Sequence, residues 1–511
     1  MITVSEAWKD IQQRFLLPET FVEIDCTITD AEVQGSASIS GENEAVFSNT
    51  ASVLYDTVKT AKYATMEPNL WSLDGSVVIA PDSSPYADIG YASETDSIGS
   101  VKVTLPKVHT KATSGVTITW GSRYDEYPTD FIITARNGEN IVLEKQIAGN
   151  TSQVTAIFEQ LQNYDSLTIK VLDWSLPHRR VRIEKVVMGY VMTFGKKDIF
   201  GYTHEQSGHL NSGELPKNSI DFTLDNTDGK WNPRNPTGLE QYLSERQKLK
   251  VRYGLTIDGT VEWIKAGTFY LSEWRVPSNG MEASFVARDI FEYLLNETYN
   301  GSVTDTLYNM VVSAFRDAGV PDDFVYDLDE SLKNYTATLP DGEHKCAEVV
   351  QMCANAALCV CYQDRDGVLH IKPLNKVSSN YTITSALSYS HPEVELSKPL
   401  KNVSVSYGEE RASYSITPPL GATGEIQTVN NPLVQDAKKA SEIANWVADM
   451  LKTRQTVKGE YRADPRLDVF DIVKVESSKY GLLNPVVITD IKYTYSGSFK
   501  ATYAGRVLEV N

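Results

Sequence analysis

Short runs of alternating apolar and polar residues follow one another between residues 43 and about 188, and turn residues separate them every ~8–12 positions. Alternation with a period of two places successive side chains on opposite faces of a strand, so each run is predicted to be a strand with one buried face. Many short strands at this spacing are typical of a β-sandwich or jelly roll. The runs are SVVIA, SVKVTLP, GVTITW, DFIITAR, NIVLEKQI, QVTAIF, SLTIKVL and RVRIEKVVMG.

The rest of the chain combines further β patterns with a few helical ones. A short amphipathic helix is predicted from residue 5 to about 16, followed by the strand FVEIDCTI. β patterns return between residues 189 and about 292, and again after about 397, where FDIVKVE, PVVITDIKYTYS and FKATYAGRVLEV are predicted strands. One long amphipathic helix, from residue 434 to about 452, interrupts this last region.

Two more helices are predicted between these β regions. VTDTLYNMVVSAFRDAG has apolar residues three and four positions apart, and Gly319 is placed to end the helix in a left-handed conformation. CAEVVQMCANAALCVCYQDRDGVLHIKPL is predicted to form a helix, a strand, a hairpin turn at Asp366-Gly367 and a return strand. We name this stretch the helix-hairpin segment.

The charge and length of the chain limit its class. Its 511 residues exceed the ~250–300 at which single cores stop growing, so several domains are expected. A net charge of −19 argues against nucleic acid as a bound partner, because phosphate binding rests on Lys and Arg clusters, but it would let DNA slide past. The sequence has neither an apolar run near ~18 residues nor a secretory signal, so we expect synthesis in a cytoplasm and no membrane span.

The cysteines invite a zinc hypothesis that their spacing does not favour. Four of the five occur in the helix-hairpin segment, as C-x6-C-x5-C-x-C, without the C-x2-C pair usual in zinc sites. We predict buried free thiols, with metal or redox chemistry as the alternative. In HEQSGH, His204 and His209 are five positions apart, so a helix would not bring both imidazoles to one metal. We predict no metal, no cofactor and no catalytic residue.

A dense polar stretch, DNTDGKWNPRNP, lies between two predicted strands. Asp225, Asn226 and Asp228 do not follow the alternating ligand positions of a calcium loop. We predict instead that the Asp225 and Asp228 side chains accept hydrogen bonds from the backbone of consecutive turns, with Gly229 at positive φ. A structural ion remains the alternative.

Aromatic residues beside predicted sandwich loops suit stacking on sugar rings. The candidates for glycan contact are Trp71, Trp120, Tyr124 and Tyr127. Trp120 ends an apolar strand, as Trp174 does, so the alternative is that both fill the sandwich core.

Several of these stretches resemble, in a consistent order, tail proteins of phages and prophages of Firmicutes. YATMEPNLWSLDGS, GVTITW…YDEYPTDFIITA and LPHRRVRIEKVVMG resemble their inserted β-sandwich. LPKNSIDFTLDNTDGKWNPRNPTGLEQYLSERQKLKVRYG and AGTFYLSEWRV…ASFVARDIFEYLL resemble the part that follows it. The helix-hairpin segment and EYRADPRLDVFDIVKVE resemble modules of tail-hub proteins.

The resemblance implies a structural, non-enzymatic baseplate or tail-tip hub in a virion tail, assembled in the bacterial host cytoplasm. Such hubs form a homotrimeric ring that surrounds the DNA path, with the tail tube or distal tail protein above and a spike or central fibre below. The resemblance implies that the polar stretch contacts a neighbouring subunit, with Trp231 contributing most of the binding energy. The predicted contact residues are Asp225, Asp228, Trp231, Pro233 and Pro236. The alternative is that Trp231 packs on its own barrel.

The expected fold is mainly β with a smaller α/β part. The predicted divisions are the N-terminal helix and first hub-barrel strand (1–42), an inserted jelly-roll-like sandwich of the galactose-binding or lectin-like kind (43–188), a first hub barrel (189–300), a helical or α+β module (301–374) and a second hub barrel with one long helix (375–511). The alternative function is a carbohydrate-binding adhesin or carbohydrate-active protein, in which the sandwich binds a host surface glycan.

Overall fold

Strands predominate over helices in the computed structural model, which confirms the expected mainly-β class. The structure describes residues 1–14, 17–29, 31–45, 48–54, 62–64, 76–78, 90–96, 99–110, 113, 115–121, 126–157, 159–235, 239–240, 243–277, 280–321, 324–377, 379, 381–398, 400–407, 410–414, 424–451, 453–479, 481–482 and 485–508.

Each of the eight alternating runs in the first part of the chain contains a strand, as does FVEIDCTI. The strand bounds are β1 Thr20–Thr29, β2 Ser38–Glu42, β3 Lys62–Ala64, β4 Ser76–Val78, β5 Tyr91–Asp96, β6 Gly99–His109, β7 Val116–Trp120, β8 Pro128–Asn137, β9 Asn140–Ala148, β10 Val154–Ile157, β11 Tyr164–Trp174 and β12 Arg180–Phe194. Of these, β2, β3 and β5 lie outside the predicted runs.

The second part of the chain contains longer strands and several short ones. Their bounds are β13 Ile199–Ser207, β14 Lys217–Asp225, β15 Lys248–Ile257, β16 Thr260–Arg275, β17 Glu282–Arg288, β18 Thr304–Thr306, β19 Tyr326–Leu328, β20 Thr336–Thr338, β21 Val360–Gln363, β22 Leu369–Lys372, β23 Thr382–Ile383, β24 Glu393–Leu396, β25 Leu400–Tyr407, β26 Glu410–Tyr414, β27 Glu425–Val429, β28 Gln455–Tyr461, β29 Ile472–Ser477, β30 Gly481–Leu482, β31 Val486–Tyr495 and β32 Phe499–Val507.

The helix bounds are α1 Glu6–Gln13, α2 Ala31–Ser36, α3 Phe291–Leu294, α4 Leu307–Asp317, α5 Cys346–Ala356 and α6 Ala437–Leu451. Two of the helices, α1 and α4, begin at residues whose side chains cap the first turn. The Ser5 side chain accepts from the backbone N–H of Trp8 at the start of α1, and Thr306 does the same at the start of α4. Gly319 follows α4 at φ 71°, as predicted.

The chain divides into two compact units, and one is inserted in the other. Unit 1 contains Met1–Asp25 and Thr193–Asn511, and unit 2 contains Cys26–Met192. The finer five-part division of the sequence stays a prediction.

Unit 2 is a β-sandwich. One sheet has the antiparallel order β2-β6-β11-β8-β9, and the other pairs β12 with β5 and β7, and β7 with β10. Inward-facing side chains from both sheets, such as Phe131, Ile169 and Ile118, are fully buried in a common core. The alternation therefore buries one face of each strand, as the sequence pattern predicts.

In unit 1 the two predicted barrel regions share one continuous sheet. The order within the unit is β1-β15-β16-β17-β14-β13-β31-β32-β28-β24. β13 pairs with β14 on one side and with β31 on the other, so His204 lies opposite both Ile220 and Tyr493. Strands distant in sequence are thereby joined by backbone hydrogen bonds.

The helical part of unit 1 has a core of its own. α4 and α5 pack with α3 around apolar residues that include Met310, Phe315 and Val350. Beside it, β19, β22 and β21 form a small sheet that contains the predicted hairpin, with Gly367 at φ 88°. A separate cluster packs α6 against β25 and β27.

Candidate functional site

The polar stretch after β14 forms consecutive turns held by its own side chains. The Asp225 carboxylate accepts a hydrogen bond from the backbone N–H of Thr227 at 2.9 Å, and Asp228 accepts one from Lys230 at 3.1 Å. Gly229 has φ 70°. The predicted turn chemistry is confirmed, and the bonds from Thr227 lower the pKa of the Asp225 carboxyl.

The position of Trp231 in the core overturns the hypothesis that this side chain binds a neighbouring subunit. Its side chain is 1% exposed and lies between the rings of Phe194 and Phe285, at centroid distances of 5.8 and 5.1 Å. The Asn226 side chain fixes this position, since its Oδ1 accepts from the Trp231 backbone N–H at 2.8 Å. An indole buried on its own sheet offers no surface to a partner, so the alternative, packing within the chain, is the one observed.

The other proposed contact residues of this stretch have different outcomes. Asp228 and Pro233 are exposed and Asp225 is half-buried. Pro236 lies outside the described residues. Contact of Asp225, Asp228 and Pro233 with another subunit stays a prediction.

Trp120 corrects the proposed set of glycan contacts. It is fully buried in the core of unit 2, with ring centroids 5.0 Å from Phe131 and 6.2 Å from Trp174, and its Nε1 donates to Thr155 Oγ1 at 3.0 Å. A side chain in the core has no face for a sugar, so the core-filling alternative is the one observed. Tyr127 is half-buried against the same core and stays a prediction, whereas Trp71 and Tyr124 lie outside the described residues.

A buried ion pair in unit 2 has no signal in the sequence. Arg182 Nη1 lies 3.0 Å from Glu126 Oε1, and both side chains are at most 3% exposed. Trp174 Nε1 donates to Glu126 Oε2 at 3.0 Å. The charges are therefore satisfied inside the sandwich, where an unpaired charge would be costly.

His204 lies in the strand β13, where it is fully buried, and not in a helix. Its Nε2 lies 2.8 Å from Asn218 Oδ1 and its Nδ1 lies 2.7 Å from the Tyr253 hydroxyl, which lies 2.8 Å from the Tyr202 hydroxyl. Because an amide oxygen only accepts, Nε2 carries the proton and Nδ1 accepts from Tyr253. Burial lowers the pKa of His204 to about 4, so the imidazole is neutral.

Arg365, in the turn of the hairpin, is bound to the second half of the large sheet. Its Nε donates to both oxygens of Asp468 at 2.9 Å, and its Nη2 donates to the Leu467 carbonyl at 2.9 Å. Gln206 Nε2 adds a third bond to Asp468 at 3.0 Å. The Asp468 carboxylate therefore joins the hairpin, β13 and the segment before β29 through a guanidinium that is only 6% exposed.

A second set of bonds ties the hairpin to the first half of the sheet. Gln363 Oε1 accepts from the Ile290 backbone N–H at 2.8 Å, and its Nε2 donates to the Thr268 carbonyl at 3.1 Å. The neighbouring Asp289 is 1% exposed, and its Oδ1 accepts from the Phe291 backbone N–H at 3.1 Å at the start of α3. The strand β21 is thus fixed to β16 and α3.

These bonds meet in one place, which we name the motif junction and define by Asn218, Asp289, Arg365 and Asp468. Each residue belongs to a different one of the stretches that carry the resemblance to tail proteins downstream of the sandwich. Asp289 N donates to the Asn218 carbonyl at 3.0 Å, and Arg365 binds Asp468. The junction therefore holds the two halves of the sheet and the hairpin in a fixed arrangement.

The cysteines are five buried free thiols, as predicted. Burial raises the pKa of the Cys346 thiol to about 11 and that of Cys359 to about 12, so both are poor nucleophiles. Among the described residues, no three His, Cys, Asp or Glu side chains come together as metal ligands. No helix in the described part of the chain is long and apolar enough to cross a membrane.

Three of the solved structures that this chain is similar to, at low identity, are tail proteins. The 43 kDa tail protein of prophage MuSo2 from Shewanella oneidensis is 13% identical with a TM-score of 0.44, covering 62% of this chain and 95% of that one. The tail protein from Neisseria meningitidis MC58 is 14% identical with a TM-score of 0.43, covering 63% and 95%. The prophage tail protein gp18 from Listeria monocytogenes EGD-e is 11% identical with a TM-score of 0.41, covering 61% and 91%.

No family model matches the chain, and the search of curated proteins finds no match. At the identities and TM-scores above, the similar structures do not place the chain in a family. The function proposed below therefore rests on the residues of this chain.

Sequence reasoning missed the motif junction because each of its residues looked ordinary in isolation. Acidic side chains are mostly exposed in folded proteins, yet Asp289 and Glu126 are buried. The available signal was indirect: Arg365 and Asp468 occur inside two of the stretches that carry the resemblance. Arg365 and Asp468 are 103 positions apart in the sequence, and residue spacing does not predict a contact over such a separation.

Proposed function

We propose that this chain is a structural, non-enzymatic component of a phage tail, a baseplate hub. In this proposal three copies form a ring that joins the tail tube or distal tail protein to a spike or fibre, and DNA passes through its centre without specific binding. The inserted unit 2 decorates the ring.

The motif junction is the observation that supports this proposal most directly. Four stretches that resemble tail proteins, far apart in the sequence, supply one residue each to the motif junction, where Asn218 is bonded to Asp289 and Arg365 to Asp468. A network that is buried and hydrogen-bonded on several sides holds its elements at fixed angles. A ring that transmits load between a tube and a spike needs that rigidity.

The net charge of −19 also fits the proposed passage of DNA. A wall that carries net negative charge repels phosphates, whereas binding requires clusters of Lys and Arg. The proposal therefore predicts weak DNA binding at physiological salt.

Electron microscopy of the purified chain, with mass measured in the same buffer, tests the assembly. We expect three-fold rings with a central hole. Arg234→Glu, at an exposed residue next to the predicted subunit contact Pro233, should weaken the ring without lowering the melting temperature, because this side chain is outside the core. Glu139→Lys, a comparable charge reversal on an exposed turn of unit 2, serves as the matched control and should leave the ring intact.

A monomer at every concentration, alone and with the distal tail protein of the same phage, would contradict the hub proposal. If that monomer bound sugars on a glycan array, and Tyr127→Ala removed the signal, the carbohydrate-binding alternative would replace it.

A further inference from the structure

Neighbouring strands of the large sheet in unit 1 share one exposed, polar face. Their order is β14, β13, β31, β32, β28 and β24, and residues directly opposite each other on paired strands point to the same side. Glu205 lies opposite Lys492 of β31. Lys492 lies opposite Thr502 of β32, which lies opposite Glu460 of β28. This face carries a hollow of about 660 Å³.

One carboxylate on this face binds two lysines. Glu205 Oε2 lies 2.5 Å from Lys217 Nζ, and Glu205 Oε1 lies 2.6 Å from Lys492 Nζ. The hydrogen bonds from Lys217 and Lys492 lower the pKa of the Glu205 carboxyl, which is therefore ionised at neutral pH. Positive charges on β14 and β31 are thus bound to the negative charge that lies between them on β13.

The other two lysines of this face are bound in the same way. Lys458 lies 2.8 Å from Glu395, and Lys500 is paired with Glu460. These carboxylates raise the pKa of both ammonium groups. Arg506, on the same side of β32, donates to a carbonyl and a hydroxyl oxygen. We name this surface the paired-lysine face and define it by Lys217 and Lys492 with Glu205, Lys458 with Glu395, and Lys500 with Glu460.

A second hollow, of about 530 Å³, continues this side of the sheet over β13, β14, β17 and β16. Its charged lining residues are Asp221, Glu273 and Arg275, so it adds no lysine. Among the described residues, none of the exposed large apolar side chains lines either hollow. The face therefore lacks the exposed apolar anchors that usually supply most of the energy of protein–protein binding.

We propose that the paired-lysine face is turned toward the DNA path of the hub, and that its ion pairs let duplex DNA slide past. The inference rests on the hub function proposed above and adds the surface that meets the DNA. Phosphate binding requires Lys or Arg that can neutralise the phosphate and release its counterions. A lysine held by a carboxylate of the next strand must first leave that pair, so phosphate is bound weakly. The hollows leave room for a convex body such as a duplex.

Binding of duplex DNA to the full chain tests the inference. Glu205→Gln combined with Glu460→Gln releases Lys217, Lys492 and Lys500, and Gln keeps the shape of each replaced side chain. Fluorescence anisotropy with a labelled duplex at low salt should show binding at least ~10-fold tighter than to wild type. The logarithmic dependence of affinity on salt should steepen by about 2–3, because about three phosphates are newly contacted.

The matched control releases the same number of lysines outside this face. Its substitutions lie in α1, before β20 and in β27, and each belongs to an exposed ion pair. The control removes one more negative charge than the test variant, yet its affinity should stay within ~2-fold of wild type, because its lysines do not meet one duplex together. The substitutions are Glu6→Gln, Glu330→Gln and Glu425→Gln, which release Lys9, Lys333 and Lys398.

Cross-linking tests the orientation of the face directly. The native thiols are buried, so a photoactivatable cross-linker attaches selectively to a new exposed cysteine. In rings of the Glu205→Gln, Glu460→Gln variant, Thr502→Cys should cross-link to bound duplex. Thr336→Cys, an equally exposed threonine of β20, should not.

The inference is overturned if test and control variants gain affinity equally, since charge alone then accounts for the binding. It is also overturned if the test variant gains nothing, or if cross-linking at Thr502→Cys does not exceed that at Thr336→Cys. None of these results bears on the hub proposal, which fails instead if wild type gives no ring alone or with the distal tail protein.

Discussion

The hydrogen-bond chain at His204 has one direction, from Tyr202 through Tyr253 and His204 to Asn218. Each donor finds an acceptor only while the imidazole is neutral, because a protonated Nδ1 would face the Tyr253 hydroxyl as a second donor. The rings around it add to its burial: Phe269 lies 5.3 Å and Tyr493 6.1 Å from its centroid. Protonation of His204 alone is therefore expected to lower the stability of the large sheet.

Acid should destabilise the protein through His204. Unfolded histidine has a pKa of 6.5, whereas burial lowers that of folded His204 to about 4. The unfolded state thus binds a proton first, and stability that is complete above 6.5 falls as pH approaches 4, by about 3 kcal/mol at most. Urea unfolding of wild type and His204→Gln across this range measures it: the difference in stability between them should be largest near neutral pH and shrink in acid.

His209→Gln is the control for this titration. His209 is partly exposed, 3.6 Å from Glu214, so its replacement should cost little stability near neutral pH, where His204→Gln shows its largest loss. A constant difference between wild type and His204→Gln from pH 6.5 to about 4 would contradict the assignment of a neutral, buried imidazole.

The β21–β22 hairpin is bonded to both halves of the large sheet. Gln363 binds the side of β16 and α3, and Arg365 binds Asp468 before β29. The two partners lie on different halves of the sheet, so the hairpin restrains their relative position.

Loss of Arg365 should be severe. Arg365→Met would leave Asp468, 26% exposed, without its counter-charge and should cost ~3–5 kcal/mol in the free energy of unfolding. Lys265→Met is the matched control, since its pair with Asp366 is exposed and should be worth ~0–1 kcal/mol. Chemical denaturation measures both. Equal, small losses in the two variants would show that the hairpin does not hold the sheet.

In the whole molecule, the insertion of unit 2 leaves and re-enters unit 1 at neighbouring residues. Asp25 and Thr193 end the two parts of unit 1, and Thr193 Oγ1 donates to Asp25 Oδ1 at 2.6 Å. A linker of a few residues is therefore long enough to connect Asp25 to Thr193. Unit 1 also contains its own sheet and its own helical core.

Removal of unit 2 should therefore leave a folded unit 1. Replacing Cys26–Met192 by a few glycines should give a soluble protein with cooperative thermal unfolding and the β-type circular dichroism of a large sheet. The variant should keep the acid dependence of His204, which lies wholly in unit 1. An aggregated or molten product would contradict the independence of the two units. A circular permutant of the full chain, with its new termini at the turn of Gly138, is the control for a changed chain connection.

Local patterns predicted most elements because they depend on neighbours in sequence. Alternation located the strands of unit 2, the 3-4 spacing located α4, and the Asp225 and Asp228 turns were predicted from the hydrogen-bonding capacity of short acidic side chains. The long-range pairing of β13 with β31 had no such signal.

By itself, the sequence determined which segments are strands, helices and turns, since period, capping and backbone freedom act over a few residues. Only the tertiary structure decided which aromatic and charged side chains are buried. The sequence left open whether Trp231 and Trp120 face a partner or fill a core, and both lie in cores. Arg365 and Asp468 are in contact although they are 103 positions apart in the sequence. Burial depends on every segment packed around a residue, and that information is not carried by its neighbours in the chain.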